Sequence, residues 1–312
     1  MSVTVERGTS GSPSGGASAN GRRVHAIRPR ARTITTLILV TLISLVAFGW
    51  PLIAAPGSDA VAHSGDAPWV FALLLPLLIA LVWAELGDGG FDAKALAVLG
   101  VLAAVGTALR PLGGGIAGLE PVWVLIILGG RALGPAFGFT LGSVTLISSA
   151  LITGGVGPWL PFQMIAAGWV GLGAGLLPRT TPKNTPGAET NTSAGLLPRA
   201  RSRSRAQRTE IVMLCAYAFV ACIAYGFCMN LWFWPFSGGL APQLAYVPGA
   251  PLLDNLQHWL VFGAATSLGY DIPRAILTVV LIALAGGPIL AALRRSTRRA
   301  SFGAVGRFED AA

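Results

Sequence analysis

Long apolar runs alternate with short polar or glycine-rich breaks along most of this chain. Residues 33–54, 68–86, 93–109, 121–133, 134–152, 158–177, 209–233 and 272–293 each read as an apolar span. Most approach the ~20 residues that an α-helix needs to cross a bilayer. The breaks are a polar loop over 56–67, an acidic turn over 87–92, a glycine-rich loop over 113–119 and a turn over 153–157. Span 121–133 is short for a full crossing, which predicts a helix that shares polar surface with its neighbours. Within the connection 234–271, residues 254–268 predict a short helix lying at the membrane surface or dipping into it. The expected fold is an all-α polytopic transmembrane helix bundle of about eight spans.

Polar segments flank and interrupt this pattern. Residues 1–32 are Ser/Gly-rich and then Arg-rich, and predict a disordered basic tail. Span 33–54 starts late and lacks a convincing cleavage site, so it predicts a retained helix rather than a signal peptide. Residues 179–208 form a Ser/Thr/Pro/Arg run without periodicity, expected to be a flexible linker. Residues 296–312 predict a second basic tail. The domain reading is thus a tail over 1–32, two N-terminal helices over 33–92, a six-helix core over 93–295 and a tail over 296–312.

Composition agrees with the membrane class. The chain is 53% hydrophobic and 11% charged, with mean hydropathy +0.66. Its net charge of +9 comes from the tails and the 179–208 run. That placement suits topology determinants and not a nucleic-acid partner. With eight spans and both termini cytoplasmic, twenty of the 22 Lys and Arg fall on the cytoplasmic face. The expected location is therefore the plasma membrane, with a multi-pass topology. The two exceptions, Arg110 and Arg274, become candidates for function. Seven of the nine tryptophans also map near the outer face: Trp50, Trp69, Trp123, Trp159, Trp232, Trp234 and Trp259. Some belong to an interfacial belt, and others are candidates to line an outward pocket.

Candidate chemistry concentrates at that face. Arg110 and Glu120 bracket the glycine-rich loop and are expected to pair across a cavity, because an ion beside apolar spans is costly unless paired or wet. Asp271 and Arg274 open the last span, where Asp271 also suits a helix cap. Gln163, Asn230, Tyr225 and Tyr270 supply polar groups to the outer half. The candidate ligand-binding set is Arg110, Glu120, Trp123, Gln163, Asn230, Trp234, Trp259, Tyr270, Asp271 and Arg274. Arg131 falls on the opposite face, in a turn with Gly134-Pro135. Span 93–109 carries Gly100, Ala104 and Ala108 at one-turn spacing, with Ala93 and Ala97 beside them. Such a small-residue face suits close helix approach, either inside the bundle or to a second membrane subunit.

Other chemistry is poorly represented. Gly113-Gly114-Gly115 has no following Lys-Ser/Thr, so it is not a phosphate loop. There is no Ser-His-Asp set and no HExxH. Cys215, Cys222 and Cys228 share one apolar span at spacings that fit no zinc motif. His25, His63 and His258 are far apart in sequence. The chain is therefore expected to be no enzyme, with no metal and no cofactor.

Residues 93–295 resemble the substrate-specific S component of energy-coupling factor (ECF) vitamin transporters, in the style of actinobacterial members. The residues that carry the resemblance are the small-residue helix with Gly100, Ala104 and Ala108, the outer loop, LGGRALGPAFG at 128–138 and TSLGYDIPRAIL at 266–277. Two additional helices, the long 179–208 run and the long 234–271 connection depart from the compact form. The resemblance implies a six-helix core that captures a vitamin at the outer face. It also implies docking of the Gly100/Ala104/Ala108 face on a transmembrane coupling subunit driven by two cytoplasmic ATPases. The Arg-Pro…Glu-Pro loop favours cobalamin or a related corrinoid, with riboflavin or thiamin types as alternatives. His258 reads as an interfacial anchor before it reads as a cobalt ligand. The competing class is an integral membrane enzyme of lipid or polyprenyl chemistry using Arg110, Glu120 and Asp271. That class normally needs an acidic or His cluster.

Overall fold

The structure is a computed structural model that describes residues 31–53, scattered positions between 76 and 91, and residues 93–113, 118–178 and 196–300. The expected tail 1–30, most of span 68–86, the loop 114–117, residues 179–195 and the tail from 301 lie outside the described residues.

Among the described residues, eight helices have defined bounds: α1 Ala31–Ile53, α2 Ala93–Leu109, α3 Val122–Leu133, α4 Pro135–Thr153, α5 Leu160–Leu176, α6 Leu196–Phe233, α7 Leu252–Thr266 and α8 Leu268–Ala300. Short 3-10 turns follow α2 at Arg110–Gly113 and α6 at Trp234–Phe236. Five of the apolar helical segments are long enough to cross a membrane, and α3 and α5 are shorter apolar helices. The protein is a polytopic membrane protein.

The shortest span sits at the centre. In α3, Val122, Trp123, Ile126, Ile127 and Leu128 are all buried, and so are Gly129 and Gly130. A helix apolar on every side is stable only when enclosed. α2, α4, α5, α6 and α8 all pack against it.

Glycine sets the closest approaches. A Cβ on Gly138 of α4 would strike the backbone of Gly171 on α5 and of Gly130 on α3. A Cβ on Gly142 would strike the backbone at Ala167. These helices therefore meet backbone to backbone, which in lipid replaces the missing hydrophobic drive with dense van der Waals contact. Ser143 adds a hydroxyl donated to the Met164 carbonyl at 3.2 Å. Along the α6–α8 seam, the Cys215 and Cys222 thiols lie 3.7 Å from the Val279 carbonyl and the Thr278 hydroxyl, in packing positions.

α1 is joined to this core through rings. Phe48 packs edge-on against Phe162 at 4.9 Å and beside Trp169 at 5.3 Å. Trp50 meets Phe236 and Tyr246. Its other side exposes Ile38, Leu39, Leu42, Leu45 and Val46, as a lipid-facing surface would.

Several boundaries differ from expectation. The linker expected over 179–208 is helical from Leu196 and continuous with the span that follows. The run from Arg199 to Glu210 holds Ala, Arg, Gln and Ser and no Gly or Pro, so nothing stops the helix. Pro198 falls in the first turn, where proline is tolerated. The tail expected from 296 is likewise helical to Ala300. α8 begins at Leu268, so Asp271 lies within its first turn and is not its cap. The short helix expected over 254–268 is found as α7.

Gly138 and Gly100 make a matched pair. Gly138→Ala is expected to lower stability by about 1–3 kcal/mol, as overpacking does. Gly100→Ala, with nothing within 4 Å of the added methyl, is expected to be neutral or slightly stabilising. Thermal unfolding of both variants in one detergent tests this, and equal effects would refute the packing assignment.

Candidate binding site at the Glu120 end

Glu120 enters the bundle on a tightly fixed backbone. Gly118 has φ +72°, and a Cβ there would strike the Tyr270 carbonyl, so only glycine fits both the conformation and the space. The Gly118 carbonyl then accepts the Glu120 amide at 2.8 Å. At the second residue of α3, the Trp123 indole N–H donates to Glu120 Oε2 at 2.9 Å.

Arg274 of α8 is the hub of the site. Its Nη1 donates to Asp271 Oδ1 at 2.6 Å. Its Nε lies 3.5 Å from Glu120 Oε2, a charge contact without an aligned hydrogen bond. Its guanidinium stands 5.2 Å from the Tyr225 ring centre and 5.7 Å from that of Trp123, in cation–π range. The two rings pack on one another at 4.4 Å. Two carboxylates and two rings thus surround one cation, which is how a charge is tolerated among apolar helices.

Asp271 is 1% exposed. Among the described residues its Oδ2 has no hydrogen-bond partner of good geometry; the Ser267 hydroxyl lies close to the carboxylate but donates to the Gly263 carbonyl. The carboxylate rests directly on Gly226 of α6, where a Cβ would overlap both oxygens. Arg110, in the turn that follows α2, is within electrostatic range of Tyr225. Arg110 does not pair with Glu120 as expected. Its Nη2 donates to Gln163 Oε1 at 3.2 Å. The reason is geometric: the 3-10 turn at Arg110–Gly113 aims the side chain at the start of α5, while Glu120 is held by Trp123 and Arg274.

Seven groups therefore share one neighbourhood: Arg110, Glu120, Trp123, Gln163, Tyr225, Asp271 and Arg274. Tyr270 is exposed beside them and contributes its backbone to the Gly118 contact. The other candidates lie elsewhere. Asn230 lines an open cleft of about 510 Å³ with Phe233, Phe236, Leu240, Phe262 and Thr266. Trp234 is fully buried and donates its indole N–H to the Leu244 carbonyl at 2.6 Å. It pins the 234–251 connection together with Asn255, which bonds both the amide and the carbonyl of Val247. His258 Nδ1 sits 3.0 Å from the Ala245 carbonyl, an anchoring contact. Trp259 packs edge-on against Phe227 at 5.7 Å. Among the described residues, no three His, Cys, Asp or Glu side chains converge as a metal site requires.

The opposite end holds a second ion cluster. Glu210 is buried, and its Oε1 lies 2.7 Å from Arg131 Nε and 2.6 Å from Arg294 Nη2. Arg294 Nη1 donates to Oε2 at 3.0 Å. Arg131 further donates to the carbonyls of Leu177 and Pro178 at 2.7 and 3.0 Å. Arg131 is thus an internal clamp joining α3, α5 and α6, not an open turn. Glu210 is missing from the residues singled out above, although an acid at the head of a long apolar run is a signal that a buried partner exists.

The Gly100, Ala104 and Ala108 face is exposed, as are Ala93 and Ala97. α2 instead buries Ala95, Leu99, Ala103, Gly106 and Thr107. The face therefore takes no part in packing among the described helices.

Compared with protein-family models, curated proteins and solved structures, the chain matches none of them.

Gly226 is expected to be coupled to Asp271. Gly226→Ala should cost about 1–3 kcal/mol in the native background and close to nothing in an Asp271→Ala background. A double-mutant cycle by thermal unfolding measures this coupling, and additive effects would remove the contact from the site.

Proposed function

We propose that the chain is the substrate-binding membrane subunit of an ECF-type importer. In this reading it captures a vitamin, with cobalamin or a related corrinoid favoured, at the Glu120 end. A coupling subunit and cytoplasmic ATPases complete the cycle. The observation that carries the proposal is the Gly100/Ala104/Ala108 face, which is unpartnered among the described residues and ends two residues before Arg110. A small-residue face that no described helix covers serves approach by another helix. It lies on the same helix as one wall of the candidate site, so a partner docked there would sense the site directly.

The arrangement of polar groups supports a ligand role. Among the described residues, Arg110 bonds an amide and no carboxylate, and Asp271 Oδ2 has no hydrogen-bond partner. Buried polar atoms left unsatisfied cost on the order of 1–3 kcal/mol each, and a ligand that satisfies them recovers that energy. The resemblance of 128–138 adds support, because Gly130 and Gly138 of that stretch make the central α3–α4–α5 contact. The distribution of basic residues favours placing the Glu120 end outside and both termini in the cytoplasm.

Two outcomes test the proposal. Mass spectrometry of ligand retained on the purified protein should find a vitamin-class molecule, and Arg110→Ala should weaken its binding by about 10- to 100-fold, the worth of a charged hydrogen bond. Unchanged affinity would make Arg110 an anchor only. Ala104→Leu, on an exposed position, should abolish co-purification with a coupling subunit and ATPase pair while sparing retained ligand. Intact complex formation would remove the docking face.

A further inference from the structure

At the Glu210 end, α6 and α8 leave the bundle side by side. A Cβ on Gly287 of α8 would press on Gln207 of α6, and Arg294 crosses to Glu210. The apolar run of α6 begins at Ile211, and that of α8 ends at Leu293. At about 1.5 Å per residue, Arg208 stands about 5 Å and Arg205 about 9 Å beyond the first edge. Arg295 stands about 3 Å beyond the second. The headgroup layer of one leaflet is about 5–7 Å deep, so all three guanidiniums come within reach of lipid phosphates.

All three side chains are exposed. Arg205 and Arg208 are three residues apart on a helix and share a face. Among the described residues, Glu210 is the acidic side chain at this end, and Arg131 and Arg294 already hold it. The clamp also fixes the helices that carry the arginines. A basic residue that only directs insertion needs no fixed geometry. These three sit on two pinned helices within about 9 Å of the apolar edge.

We propose that Arg205, Arg208 and Arg295 form a binding surface for the phosphate groups of anionic phospholipids. Lipid is the occupant because Arg208 and Arg295 stand at headgroup depth and Arg205 within side-chain reach of it, where a soluble acidic protein would have to displace the lipid first. Each arginine near a charged membrane surface contributes about fivefold in affinity.

The test uses the purified full chain in discs of phosphatidylcholine mixed with phosphatidylglycerol, with native mass spectrometry reading the retained lipid. The native protein is expected to retain phosphatidylglycerol over phosphatidylcholine by about tenfold or more. The Arg205→Gln/Arg208→Gln/Arg295→Gln variant is expected to lose most of that preference, and single variants about fivefold each. Equal retention of the two lipids by the native protein overturns the proposal whether or not the triple variant folds. Undiminished preference in a folded triple variant overturns it too. Stabilisation by inorganic phosphate equal to that by phosphatidylglycerol would reveal a free-anion site instead. Tighter binding of polyglutamate than of phosphatidylglycerol vesicles would point to an acidic protein partner and reject the lipid.

Discussion

An ion inside an apolar bundle must be paired, and that constraint shapes this protein. α3 has 12 residues, about 18 Å of helix against a hydrocarbon layer of about 30 Å. Glu120 precedes it and Arg131 lies in its last turn. At least one of these charges therefore sits at hydrocarbon depth, and both are enclosed by longer helices. α6 and α8, with 38 and 33 residues, pass along the whole of α3 and supply the partners: Glu210 and Arg294 at one end, Asp271 and Arg274 at the other. A short central helix capped by two ion clusters is the arrangement that lets so few charges be buried safely.

The second constraint is how closely helices can approach. This chain holds 41 glycines, and their number alone does not say which serve packing. Gly130, Gly138, Gly142 and Gly171 face other backbones, and a methyl at any of them collides. Gly100 meets nothing. The same residue type therefore builds the core in α3, α4 and α5 and leaves a smooth outer strip on α2. In lipid, where burial of apolar side chains brings little drive, such strips are where one bundle can meet another.

Much of the architecture was legible from hydropathy. The extent of α2 was read to the residue, and α3 to α5 to within two residues at each end, because glycine, proline and polar breaks mark membrane helices sharply. The extension of α6 was not legible, because an Arg/Ser-rich run looks solvated whether or not it is helical. Partner choice was harder still. Arg110 and Glu120 are neighbours in one loop, and proximity along the chain suggested a pair. The structure gives Arg110 a partner 53 residues away and leaves Glu120 to Trp123 and Arg274. Trp234 shows the same limit. An interfacial tryptophan in sequence is equally a belt residue, a pocket wall or a buried donor, and here its N–H is fixed by Leu244. Charge signs and apolar lengths are written locally, but which group satisfies which is a property of the packed helices.

The two ion clusters are not equivalent, and the difference indicates where chemistry remains available. Around Glu210 both oxygens accept guanidinium hydrogens, and every Arg131 nitrogen donates, Nε to Glu210 and the two Nη to the carbonyls of Leu177 and Pro178. A saturated cluster of this kind holds helices together and has little left to offer a ligand. Around Arg274 the pairing is incomplete. Among the described residues, Asp271 Oδ2 has no hydrogen-bond partner, Arg274 Nε makes a charge contact without an aligned hydrogen bond, and Arg110 bonds an amide and no carboxylate. An open account in a buried site is destabilising for the empty protein, so its persistence needs a return. The polar ligand proposed for the Glu120 end would supply that return, while the Glu210 end holds the frame in which the site is built.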